Sequence, residues 1–356
     1  MPDDTEDQNQ GAEDTQAQSM KVEVIEWLFR QHWPLGGSRP PGRMLVTRHE
    51  VAKGIAARNS KHPDARKLSV GNPANFLKDF IRKRTCNSNW PRSLKELNIT
   101  ARQVYGDENV LEFVSYQPGD TEPFPDRFDP LPNMQIIPFE ALSIPLEARE
   151  LGRPDEAWLI QVIVSQRLLH THFAIVARDK DPRVQTLAHL QTSVKTQPEI
   201  DATFVANVTT TSDESVPTRL RVYVTCEAKQ HNERILEHQI REQVGKAFEL
   251  TAALEGGDAI GAVIPTVFQV VDYQSNDLTK TASKVRGIYL AQFGMITRSE
   301  FERLYRANLH DMPLEIQSRA IYQPFPPVRG ISKLPPLRRA RHTGSPPSQS
   351  DASPAN

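Results

Sequence analysis

Three side chains in this sequence are typed and spaced to do chemistry together: Asp201, Glu227 and Lys229. Asp201 lies in Glu199-Ile-Asp-Ala-Thr-Phe, where Ile200, Ala202 and Phe204 fall on one side of an alternating strand and Glu199, Asp201 and Thr203 on the other. Glu227 and Lys229 end a second alternating run, Arg219 to Lys229, whose apolar side is Leu220, Val222, Val224, Cys226 and Ala228. Residues at i and i+2 share a face of a strand, so pairing the two strands brings Asp201, Glu227 and Lys229 to one side. Two carboxylates and an ammonium on a rigid sheet face suit a hard divalent cation and an activated water. The bland alternative is a surface strand with a solvated ion pair, worth under ~1 kcal/mol. Against it stands the repulsion of converging carboxylates, which calls for a compensating cation. Of the 14 lysines, Lys229 alone has an acid two positions before it.

Several elements must hold these residues. The reading predicts an α+β / α/β chain with a central mixed sheet. A helix from Asp155 to His170 carries Asp155 and Glu156 at its favoured acidic end, and a strand follows from His189 to Lys195. After Lys229 a long amphipathic helix runs from Asn232 to Leu254 and stops at Gly256-Gly257, and strands follow at 260–271 and 285–293. A helix from Arg298 to Leu309 comes next. His170 and His172 form no metal pair with any other clustered ligand, and they read as the end of a helix.

With 356 residues the chain has room for two domains, and its net charge of -1 conceals an uneven distribution. Residues 1–19 hold six acids and no Lys or Arg, whereas residues 20–106 hold 17 basic against 6 acidic residues. Such a basic segment points to a polyanion partner; the alternative is a merely solvated face. The two cysteines suggest neither a disulfide nor a zinc site, and no stretch reads as a signal peptide or membrane helix, so the expected location is the cytoplasm. The expected boundaries are a disordered tail at 1–19, a basic domain at 20–117, a Pro-rich linker at 118–133, a second domain at 134–323 and a disordered tail at 324–356 with Arg338, Arg339 and Arg341.

In the basic domain the pattern predicts a first helix ending near Trp33, a short strand at Met44–Val46, and a helix begun by the capping box Thr47-Arg-His-Glu50. A third helix runs from Asn72 to Arg84, and a hairpin joins Ile99–Tyr105 to Val110–Tyr116 through Gly106-Asp107. Three helices and a hairpin resemble a winged helix-turn-helix module. That resemblance makes Asn72–Arg84 the recognition helix and the region around Arg102 the wing, with Asn75, Lys78, Arg82, Lys83, Arg84 and Arg102 contacting double-stranded DNA.

The order helix, three strands, helix, strand, with Asp201 on the second strand and Glu227-Ala-Lys229 ending the third, resembles the PD-(D/E)xK nuclease superfamily. The likeness spans roughly residues 150–295 and rests on Pro198-Glu-Ile-Asp201, Glu227-Ala-Lys229 and the helix after them. It implies a restriction-endonuclease-like αβββαβ domain in which Asp201 and Glu227 bind Mg²⁺, with Mn²⁺ as a substitute, and Lys229 positions the attacking water. Pro-Glu-Ile-Asp leaves open whether Glu199 or Asp201 is the ligand; Ile-Asp-Ala-Thr-Phe favours Asp201. Glu156 is a candidate further acid, and Gln239, with Gln243 one turn on, a candidate polar residue behind the site. The implied function is a Mg²⁺-dependent DNA endonuclease of restriction or defence type, acting as a homodimer. The rivals are a repair or recombination nuclease on structured DNA and a non-catalytic DNA-binding regulator.

Overall fold

The computed structural model describes residues 20–33, 44–69, 71, 73–104, 108–180, 182–196, 198–210, 218–254, 259–274 and 284–334. The expected tail 1–19, the Asn72 cap, the Gly106-Asp107 turn, the Gly256-Gly257 helix stop and Arg338, Arg339 and Arg341 lie outside these residues. The chain is a mixed α+β protein. No single helix among the described residues is long and apolar enough to cross a membrane.

The N-terminal unit begins with α1 (residues 20–32), then β1 (Met44–Thr47) and α2 (Arg48–Lys61). The capping box forms as its spacing predicts: Glu50 N donates to Thr47 Oγ1 at 3.2 Å and Thr47 N to Glu50 Oε2 at 2.7 Å. β2 (Ile99–Gln103) and β3 (Asn109–Ser115) pair antiparallel, and β1 adds to β3, giving a three-stranded sheet in the order β1-β3-β2. Val24, Ile25 and Leu28 of α1, Val51 and Ile55 of α2, and Phe113 of β3 share one apolar core.

The expected helix Asn72–Arg84 is shorter. A single 3₁₀ turn at Pro73–Asn75 leads into α3 (Phe76–Ile81), and the backbone leaves the helix so that Lys83 bridges to Glu233. A tertiary contact thus overrides local propensity. Two short helices follow, α4 (Cys86–Asn89) and α5 (Arg92–Glu96). They bury Trp90, whose Nε1 donates to Ile99 O at 2.8 Å. Within the Pro-rich stretch 118–133, expected as a linker, most residues are exposed and two aromatic rings anchor it. Phe128 is buried against Phe293, Phe124 meets Trp90 edge-on at 4.9 Å, and the Asn87 amide brackets the Phe124 backbone at 2.8 and 2.9 Å.

The second unit is built on one sheet. Its strands are β4 (Ile136–Glu140), β5 (Arg183–Val194), β6 (Ile200–Thr210), β7 (Thr218–Lys229), β8 (Ala262–Gln274), β9 (Lys284–Phe293), the short β10 (Ile296–Thr297) and β11 (Ile316–Phe325). The order is β4-β11-β9-β8-β7-β6-β5, with β10 paired to β8. β5, β6 and β7 form an antiparallel meander; β7 and β8 run parallel, joined through α9 (Glu237–Leu250). A parallel pair needs such a crossover. On one face, Ala202, Phe204, Val222, Val224 and Cys226 pack against Leu159, Ile160 and Ile163 of α7 (Glu156–Ser165). On the other, Tyr223 and Val263 pack against Val244, Ala247 and Phe248 of α9. β8 is therefore buried on both faces, which explains its nearly unbroken apolar run. α6 (Leu146–Leu151) precedes α7.

Other expected boundaries also shift. The helix expected at Asp155–His170 breaks at Arg167, which sits at φ 52°, and continues as α8 (Leu168–Thr171). The helix expected from Asn232 begins only at Glu237, because Glu233 N bonds back to Gln230 O at 3.0 Å in a turn and Ile235 and Leu236 point into separate cores. The helix expected at Arg298–Leu309 shrinks to α10 (Arg298–Glu300) and a single π turn at Phe301–Tyr305. The tail expected from residue 324 is ordered to 334: β11 runs to Phe325, and Val328 and Ile331 are fully buried beyond it.

Candidate active site

The second residue of β6 and the last residues of β7 meet at one end of the sheet, since the two strands are antiparallel with Ala202 opposite Cys226. Glu156 arrives there as the first residue of α7. Asp155 fixes that start by capping Trp158 N at 2.8 Å. Glu227 and Lys229 are only 2% and 3% exposed, so the solvated surface pair is excluded. α9 lies over β7 and β8 on this face, and Thr203 and Thr225 are buried.

Lys229 spends all three donors of its ammonium inside the protein. Nζ lies 2.6 Å from Glu227 Oε1, 2.8 Å from Glu156 Oε1 and 2.9 Å from Ala228 O. Asp201 Oδ2 accepts Ala228 N at 2.7 Å, which pins the carboxyl to the backbone between Glu227 and Lys229. Glu227 Oε2 accepts from Gln243 Nε2 on α9; the same amide reaches Glu199 O at 3.0 Å. Arg82 of the N-terminal unit bonds Glu233 and lies 3.6 Å from Glu156 Oε1.

Burial and this crowding set the charge states. Burial, then the neighbouring Glu227 carboxylate, push Asp201 up to about 8, against the pull of Lys229 and the Ala228 N–H. Burial also raises Glu156, opposed by its bond to Lys229. For Lys229 burial acts downward, yet Glu227, Glu156 and Asp201 outweigh it and hold the ammonium charged. Glu233 is lowered: the Gln230 N–H and Arg82 overcome the effect of burial. Fully ionised, the four acids Glu156, Asp201, Glu227 and Glu233 exceed the two bases Arg82 and Lys229 by two negative charges.

With Asp201 protonated the excess is one negative charge, and a cation bound there would displace that proton. Among the described residues no three His, Cys, Asp or Glu side chains are grouped to hold a metal by themselves. No closed zinc site forms among these residues, and the donors that Asp201 and Glu227 offer are carboxylate oxygens, the ligand type of hard ions.

Not every expected residue converges. Glu199 is exposed and turned away; Ser193 Oγ and Lys195 Nζ hold its carboxylate, and they draw its pKa down. It precedes β6, so strand alternation does not govern its direction. Gln239 is buried with Oε1 lacking a partner, and Gln243 is the amide that reaches Glu227. The basic residues expected to point outward also differ. Arg82 faces Glu233 and Glu156, Arg84 lies 3.6 Å from Asp129, and Arg102 pairs across its hairpin with buried Glu112 at 2.8 Å. Lys83 is exposed, and Lys78 and Asn75 are half-buried on and beside α3. His170 and His172 hold no metal geometry: His170 Nε2 bonds Leu187 O at 2.9 Å, and buried His172 lies between Ser318 and Tyr322. Sequence reasoning missed Glu233 and the inward use of Arg82, whose contact spans 151 positions. The comparisons with protein-family models, with curated proteins and with solved structures give no match for this chain.

Proposed function

We propose that the chain is a divalent-cation-dependent deoxyribonuclease with a PD-(D/E)xK-type centre. The observation that carries this reading is the meeting of Asp201, Glu227 and Lys229 at the strand ends, with Glu227 and Lys229 buried. The surrounding order supports it: helix α7, meander β5-β6-β7, helix α9, then β8 parallel to β7. The N-terminal unit supports a DNA partner through its basic charge and through a helix–strand–helix–helix start and closing hairpin that resemble a winged helix-turn-helix module, with the short helices α4 and α5 inserted before the hairpin.

Asp201 and Glu227 would hold Mg²⁺ or Mn²⁺, which supplies Lewis acidity toward a phosphate oxygen and acidifies bound water. Lys229 is the fixed positive charge beside that seat. With Glu227 Oε1 given over to the metal, the Lys229 donor it now takes would be freed to orient the attacking water, and the ammonium would offset charge growing on the phosphate. Gln243 fixes the Glu227 carboxylate, and Glu156 gives the ammonium a second acceptor. In hydrolysis the water oxygen bonds to phosphorus, one P–O ester bond breaks, and the leaving oxygen takes a proton. Each chain carries one such centre, so cutting both strands calls for a homodimer.

The test is plasmid DNA incubated with Mg²⁺ or with EDTA, beside Asp201→Asn. Asn is a close stand-in for the protonated Asp201, so the variant keeps its fold. The expected result is Mg²⁺-dependent cleavage that Asp201→Asn lowers by at least a hundredfold. Equal cleavage by both proteins, or cleavage unaffected by EDTA, rejects the assignment. Discrete bands indicate a restriction role, and cutting only of branched DNA a repair role. Salt-dependent binding without cleavage identifies a regulator.

A further inference from the structure

Arg82 belongs by sequence to the basic segment that would read DNA, yet the fold aims it at the carboxylates. Its guanidinium reaches Glu233 and approaches Glu156 Oε1, the same oxygen that accepts Lys229 Nζ at 2.8 Å. Lys229 in turn reaches Glu227 Oε1 at 2.6 Å. A continuous line of charge therefore runs Glu233, Arg82, Glu156, Lys229, Glu227, and crosses from one unit to the other. Resting on the nuclease reading, we propose that Arg82 is a positioning residue of the hydrolytic centre: it fixes Glu156 as the second seat of the Lys229 ammonium.

The backbone enforces this placement. Lys83 bridges to Glu233, and around the same seam Arg84 lies 3.6 Å from Asp129 and Arg234 donates to Phe124 O at 2.7 Å. These contacts hold the backbone on both sides of the seam, and with it the Arg82 backbone, beside the carboxylates. The seat matters because Glu227 Oε1 is bonded to Lys229; for Glu227 to hold a cation, the ammonium must lean on another acceptor, and Glu156 is that acceptor. Arg82 meets both carboxylates through the one nitrogen Nη2, and the rigid guanidinium plane fixes that nitrogen more firmly than a lysine stem fixes its ammonium. Without Arg82, four carboxylates share the single charge of Lys229.

A phosphate contact at Arg82 and a positioning role predict different kinetics. Arg82→Ala is expected to lower kcat at least tenfold, with KM for DNA and the salt dependence of binding unchanged. Arg82→Lys recovers part of the loss. Arg92→Ala, which removes an exposed arginine of the same unit paired with Glu96, leaves kcat within about twofold of wild type. A rise in KM at constant kcat overturns the proposal and makes Arg82 a DNA contact. A second measurement needs neither metal nor DNA. Arg82→Ala and Glu156→Gln are combined, and the urea midpoint of the double variant is expected to lie above the value given by adding the two single shifts. Additive midpoints overturn the proposal whatever the kinetics show. If wild-type protein cuts no DNA, the nuclease reading falls, and this coupling still decides whether Arg82 belongs to the carboxylate centre.

Discussion

Asp201 is the residue whose chemistry is most exposed to test. Its folded pKa near 8 lies well above the ~3.9 of an unfolded aspartate. The native state therefore holds the extra proton. The stabilisation this gives is complete below about pH 4 and is lost as pH rises through 8, at no more than ~1.4 kcal/mol per pH unit. Metal-free wild type should have a lower urea midpoint at pH 9 than at pH 6, and Asp201→Asn should remove most of that fall. Mg²⁺ should restore the wild type at pH 9 by binding the native state, and leave the variant unmoved. Equal pH slopes in the two proteins would contradict the assignment of the proton to Asp201. This residue was legible because period-2 alternation on two neighbouring strands fixes which side chains share a face. Glu199 was not, since it lies one step before the strand. Gln239 and Gln243 could not be separated, because helical spacing alone places both near the sheet. Arg82 looked like part of an outward basic stripe, since its partners are distant in sequence.

At the scale of elements, the strands were legible where burial is one-sided or complete, as in β6, β7 and β8. The long helices were overextended because their periodicity continues through turns that tertiary contacts impose. Lys83 bridging to Glu233 ends α3, and the turn at Gln230–Glu233 delays α9. The segment after β11 was misread for the opposite reason. Its Pro and Arg content resembles a tail, yet Trp158 Nε1 donates to Arg329 O at 2.9 Å and Ile331 is fully buried. At Gly152 a Cβ would lie 2.6 Å from Arg329 O, so the chain passes too closely for a side chain there. The segment closes the apolar face that carries α7 and therefore steadies Glu156 from behind. Ile331→Ala should cost about 2–5 kcal/mol in urea unfolding, the range for truncating a buried isoleucine. A change under ~0.5 kcal/mol would mean that the segment is not part of the core.

For the whole molecule, the question is how a chain with net charge -1 meets a polyanion. Its excess of basic residues lies in the N-terminal unit, but several are already engaged: Arg82 by Glu233, Arg84 by Asp129 and Arg102 by Glu112. These pairs reduce what the unit offers to phosphate. Lys78 is different, for it stands on α3 among apolar neighbours and near Glu199, whose carboxylate already has Lys195. If α3 lies against DNA, Lys78 neutralises a phosphate and releases counterions, and Lys78→Ala lowers the slope of log affinity against log salt by roughly 0.9. Arg102→Ala should change that slope by less, since Glu112 competes for its charge, although it leaves a buried carboxylate behind. Fluorescence anisotropy of labelled duplex at several salt concentrations separates the two. An unchanged slope for Lys78→Ala, with the protein still binding DNA, would move the contact surface away from α3 and leave the basic charge of this unit to its internal role at the seam.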